Sequence, residues 1–169
     1  MGLWRGLVWL VLSTLLILRP APAMADEAGP FSDWAAVVVA GDWHAQSGAP
    51  SEVFDNARRD IAKSLVQIGF SADNVRQLSV RPERYAKSGA LPTKPRQLYE
   101  TLGQLTTKVT GGCLVYITSH GVPEGIVFGE QLLAPGILAE IINRTGRPSR
   151  LSAPAIPASL CRHSPGRIA

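Results

Sequence analysis

Apolar and polar residues come in blocks along this chain, and the spacing inside each block predicts an element. Trp34–Ala40 reads WAAVVVA, an unbroken apolar and β-branched run closed by Gly41 and Asp42. A run without alternating polar positions predicts a central parallel strand buried on both faces. Residues 42–50 form a turn-rich loop carrying Trp43 and His44. After Ser51, apolar residues at Val53, Phe54, Ala57, Ile61, Leu65 and Ile68 follow a helical period that Gly69 ends.

Residues 75–80 predict a second, weaker strand. Residues 81–95 are charged and broken by Pro82, Gly89, Pro92 and Pro95, the composition of an exposed loop. Leu98, Leu102, Leu105 and Val109 mark a second amphipathic helix, stopped by Gly111 and Gly112. Residues 113–118 give a third strand, 126–128 a short strand or turn arm, and 132–142 a third helix ending near Gly146. Strands alternating with helices imply right-handed β-α-β crossovers. The expected class is therefore α/β, a largely parallel sheet with helices on both faces.

Both ends depart from this pattern. Residues 1–25 carry Arg5, an apolar run over 7–18 and Ala23-Met24-Ala25, the layout of a secretory signal peptide. The apolar run falls short of the roughly 20 residues that span a bilayer, so export to the periplasm or outside is expected ahead of an uncleaved anchor. Residues 26–33 then form a short leader and 34–150 the domain. Residues 151–169 are proline-rich, with neither helical period nor strand alternation, and predict a disordered tail.

Charge and cysteine content narrow the functions. The chain of 169 residues has a formal charge of +4; cleavage after Ala25 removes Arg5, Arg19 and no acid, leaving 144 residues at +2. That mild excess, without a basic stripe interleaved with aromatics, gives no support for nucleic-acid binding. Cys113 and Cys161 permit one disulfide in an oxidising compartment. Neither CxxC nor HExxH occurs, so no metal and no cofactor are expected.

The candidate chemistry sits where strands end. In open parallel sheets ligands bind beyond the carboxyl ends of the strands. His120 follows the third strand there, suited to general acid–base work, and Gly121 leaves space beside it. Read without context, the same pair is a His-Gly turn that merely ends a strand, and His44 a solvated loop histidine. Asn56 and Arg58 read locally as a helix cap and as part of a solvated basic pair with Arg59.

The order of WAAVVVAGDWHAQSG, EVFDNARRDI and CLVYITSHGVPEGIVF resembles the legumain-type cysteine peptidases of the caspase-like fold. The resemblance covers residues 34–147. It implies that His120 is the catalytic histidine, that Asn56 orients it, and that Arg58 of the Asn-x-Arg segment lies in the S1 pocket. It also implies an oxyanion donor in the Gly121 backbone N–H and a peptide or protein as substrate. In such a site a thiolate attacks the carbonyl, the histidine protonates the leaving amine, and backbone N–H groups hold the oxyanion.

One part of that pattern is missing. The family carries its nucleophile after the next strand, in an Ala-Cys-x-Ser-Gly segment; here residues 152–159 read SAPAIPAS. Cys161 lacks the glycine context, and Cys113 begins the strand that His120 ends, roughly 20 Å away along an extended chain. The codons permitted for residues 152–159, read one base out of frame, allow Ser-Ala-Cys-Tyr-Ser-Gly. The expectation is therefore an exported peptidase homologue, incomplete at its C-terminus through truncation or frameshift and inactive in this form. The alternative is a non-catalytic secreted α/β peptide-binding module.

Overall fold

A computed structural model describes residues 29–145. The segment read as a signal peptide and the tail from 151 lie outside the described residues. Four strands form one parallel sheet in the order β3-β2-β1-β4: β1 is Trp34–Ala40, β2 Val75–Ser79, β3 Leu91–Pro92 and β4 Gly112–Thr118. Helix α1 spans Val53–Gln67, α2 Pro95–Thr106 and α3 Pro135–Thr145. A small antiparallel sheet, β5 (Gly121–Val122), β6 (Gly125–Phe128) and β7 (Gln131–Leu133), follows β4. The fold is mixed α/β, with helices on both faces of the parallel sheet.

The centre of the sheet follows from β1. Its residues pair with β4 from Trp34↔Gly112 to Ala40↔Thr118 and with β2 from Ala36↔Val75 to Val39↔Leu78. Successive side chains point to opposite faces. Ala35, Val37 and Val39 pack with Leu98, Leu102 and Leu105 of α2 and Ile141 of α3, while Ala36 and Val38 pack with Ala62 and Leu65 of α1 and with Phe70. An all-apolar strand thus needs a helix on each side. Each valine buried this way contributes about 1.5–3 kcal/mol.

Strand β4 is adjacent and parallel to β1, as expected, but only half-buried: Tyr116 is 36% exposed. Among the described residues no strand pairs with its other edge.

Helix α1 turns a different face inward from the one its apolar residues predict. Val53 and Ile68 are exposed, whereas Asp55, Arg58, Ala62 and Leu65 are buried. Asp55 and Arg58 sit one turn apart and bond each other, which makes their burial tolerable.

Two further segments differ from expectation. Residues 81–95 hold a 3-10 stretch, Pro82–Ser88, and strand β3, anchored by Thr93, whose N–H donates to the Ser79 carbonyl and whose hydroxyl donates to that of Ala40. The predicted helix over 132–142 begins only at Pro135, because Leu132 and Leu133 belong to β7. Proline suits the first helical position, where its missing N–H costs nothing. Within the predicted leader, Phe31 stacks on Phe70 and Asp33 accepts from Thr110, so residues 29–33 pack against the domain.

Candidate active site at the carboxyl ends of β1 and β4

Strands β1 and β4 end together and are stitched at their tips. The Gly41 N–H donates to the Thr118 carbonyl at 2.8 Å, and the Gly129 N–H donates to the Gly41 carbonyl at 2.8 Å. Ser119 Oγ donates to the Val127 carbonyl at 2.6 Å. Gly41 lies so close to the β6 arm that a Cβ there would stand 2.5 Å from the Val127 oxygen. Glycine is therefore required by space. The consequence is that the residue after Gly41 and the residue after Ser119 face one another.

Those residues are Asp42 and His120. His120 Nδ1 lies 2.9 Å from Asp42 Oδ2, and His44 Nδ1 lies 2.8 Å from Asp42 Oδ1. Asp42 also accepts from the backbone N–H of Trp43 (2.6 Å) and of His44 (3.1 Å). Burial by itself would raise this carboxyl, but the hydrogen bonds from His120, His44 and the two backbone donors outweigh it and hold its pKa down to about 2. Asp42 is thus ionised at neutral pH. A carboxylate only accepts, so each Nδ1 carries the hydrogen and the Nε2 of each neutral ring keeps its lone pair. The Phe54 ring packs edge-on against His120, with centroids 4.9 Å apart.

Beside this pair lies a second polar cluster. The Trp43 ring lies against the His44 ring, centroids 3.9 Å apart, and the Arg81 guanidinium stands 4.9 Å from its centroid. Arg81 Nη2 donates to the Ser51 carbonyl at 2.9 Å and to Glu52 Oε1 at 3.2 Å. Arg58 is fully buried; its Nε donates to Asp55 Oδ1 at 3.0 Å and its Nη1 to Gln77 Oε1 at 2.5 Å, with the Tyr85 ring 5.0 Å away. Arg58 Nη2, Arg81 Nε and Asp55 Oδ2 have no hydrogen-bond partner among the described residues. The Tyr85 hydroxyl donates to Glu52 Oε2. Burial, then that bond and the nearby Asp55 and Glu52 charges, push the phenol up to about 12.

Of the residues the sequence nominated, His120 stands at the strand end. Its ring partner is Asp42 and not the expected Asn56, which is exposed on α1 and accepts from Arg59 at 2.5 Å. Arg58 is buried in its own ion pair and is not part of a solvated basic pair. Gly121 is exposed and opens β5; a Cβ there would meet nothing within 4 Å. Cys113 is held in a disulfide and no free cysteine occurs among the described residues, so no thiolate faces His120 there.

Sequence reasoning passed over Asp42, Arg81 and Tyr85. Asp42 had a usable signal, since Gly-Asp-x-His after a buried strand puts a carboxylate and an imidazole at one strand end. No group of three His, Cys, Asp or Glu side chains among the described residues is arranged to hold a metal. No helix among the described residues is long and apolar enough to cross a membrane. Comparison with family models, curated proteins and solved structures gives no match, so any family assignment rests on residues and geometry.

Proposed function

We propose that the chain is an exported homologue of the legumain-type cysteine endopeptidases, built on a caspase-like α/β arrangement and inactive in this form. The observation that carries this reading is His120, seated at the carboxyl end of parallel strand β4 beside the end of central β1, with Nδ1 held by an ionised Asp42. An imidazole so oriented offers Nε2 to take the proton of a thiol and return it to a leaving amine. Asp42 takes the orienting role that the family resemblance assigned to Asn56. Arg58 supports the S1 assignment only through its Nη2, which has no partner among the described residues, since Nε and Nη1 are spent on Asp55 and Gln77.

Among the described residues the site has no thiol. Thiol–imidazole chemistry needs the two within about 3–4 Å. Cys113 is in a disulfide, and the segment where the family carries its nucleophile reads SAPAIPAS. Peptide-bond hydrolysis by this route needs that nucleophile, and the described residues supply the acid–base half of it. The same absence favours a second reading, a secreted peptide-binding module that never used a nucleophile.

The coding DNA separates the two. A one-base frame change near codon 150 that opens Ser-Ala-Cys-Tyr-Ser-Gly supports the peptidase origin. An uninterrupted frame in independent isolates, with no such segment downstream, counts against it.

A further inference from the structure

Seven arginines lie among the described residues, and five are in ion pairs: Arg58 with Asp55, Arg81 and Arg84 with Glu52, Arg96 with Glu100, and Arg144 with Glu140. Arg59 and Arg76 pair with no carboxylate among these residues, and both line one cleft between α1 and β2. The cleft measures about 570 Å³ and also takes in Lys63; none of its lining residues is acidic. Arg59 donates to Asn56, and Arg76 turns back onto the carbonyl of Val75 at 3.3 Å. Cations gathered in an acid-free concavity hold a positive potential that a neutralised surface would not.

The cleft has a second property. Strand β3 pairs with β2 only at Leu78 and Ser79, so residues 75–77 have no strand on their outer side among the described residues. A bare strand edge offers N–H and C=O groups to an added strand. The rest of the lining is uncharged, mostly small and apolar (Ala62, Val66 and Val75 among them) with Gln77 and Ser88 polar, and holds no aromatic ring on which a base would stack.

We propose that this cleft binds an extended acidic peptide segment, added as a strand against residues 75–77 of β2 with its carboxylates on Arg59, Lys63 and Arg76. Backbone pairing would supply register, and the three cations the selection for acidic side chains. Asp42, His44 and His120 are not among the lining residues, so this inference stands apart from the peptidase reading.

The test is fluorescence anisotropy on the full chain at low salt, with a labelled hexapeptide alternating Glu and Val. Binding is expected, weakening as salt rises, with little binding of the Lys counterpart. The double variant Arg59→Glu/Arg76→Glu should weaken it at least about tenfold, whereas Arg96→Glu, an exposed position on α2, should change it less than about twofold. Circular dichroism checks that the variants fold. Should the double variant fail to fold, a backbone N-methylated peptide takes its place and should bind the wild-type chain at least about tenfold more weakly. Absence of peptide binding, an unchanged affinity in the double variant or for the N-methylated peptide, or tighter binding of an oligothymidylate lost in that variant would each overturn the proposal.

Discussion

Replacing Arg58 by methionine should be among the most damaging single changes in the domain. Arg58 has no exposed surface, and its partner Asp55 is 1% exposed, with Oδ2 already lacking a hydrogen bond among the described residues. The substitution keeps the volume of the aliphatic stem but leaves Asp55 as a buried charge without its guanidinium. Breaking one side of such a pair costs about 3–5 kcal/mol. Arg81 Nη2, 3.9 Å from Asp55 Oδ2, retains part of the compensation, which places the expectation near the lower end, about 3 kcal/mol. For a domain of this size that lowers Tm by roughly 10–15 °C. Guanidinium unfolding followed by Trp34 and Trp43 fluorescence measures it, with exposed Arg59→Met as the reference, expected to change stability by less than about 0.5 kcal/mol. The double variant Asp55→Leu/Arg58→Met should recover most of the loss, because an apolar pair of similar volume replaces the ions. A loss below about 1 kcal/mol for Arg58→Met, or no recovery in the double variant, would refute the reasoning.

Three other outcomes are expected. Asp42→Asn should destabilise the chain by up to about 2 kcal/mol at pH 6, because the folded pKa lies below the ordinary 3.8, at about 2. That stability is present above pH 4 and is lost as the pH falls through 2, so denaturant curves of wild type and variant should converge in acid. Gly41→Ala should cost about 1–3 kcal/mol and separate His120 from Asp42, since the new Cβ meets the Val127 oxygen and the Ser119 side chain, whereas Gly121→Ala should melt with the wild type. In an ultraviolet titration one phenol should ionise only near pH 12, and Tyr85→Phe should remove that step.

The sheet was legible because its signals are redundant. Trp34–Ala40 is apolar at every position, and the β1–β4 pairing follows from two such runs joined through helices. The inward face of α1 was not legible, because period analysis counts apolar residues and this helix buries an Asp55–Arg58 pair in place of two of them. The start of α3 was obscured in a similar way: Leu132 and Leu133 continue the apolar pattern of the helix, and only the hairpin turn at Gly129, with φ of 71°, assigns them to β7.

At the site, His120 stood out by its place after an apolar strand. Its partner did not, because Asp42 lies 78 residues away and meets it only through the stitching of Gly41 to Thr118. Asn56 was nominated by resemblance, and a linear motif carries no information on which side of the helix faces the histidine. In this helix Asn56 is exposed, whereas Asp55 one position before it and Arg58 two positions after it form the buried, inward-facing pair.

The central claim, a peptidase site complete but for its sulfur, is tested most directly by cleavage of asparaginyl and aspartyl peptides. Two proteins are compared: the chain as written, and one whose frame is restored after Arg150 so that Ser-Ala-Cys-Tyr-Ser-Gly follows. The account predicts no turnover by the first and turnover by the second, abolished by His120→Ala and reduced about 10²–10⁴-fold by Asp42→Ala through loss of the oriented imidazole. Cleavage by the chain as written that disappears with His120→Ala, or a folded restored protein with no activity on either peptide, would contradict it.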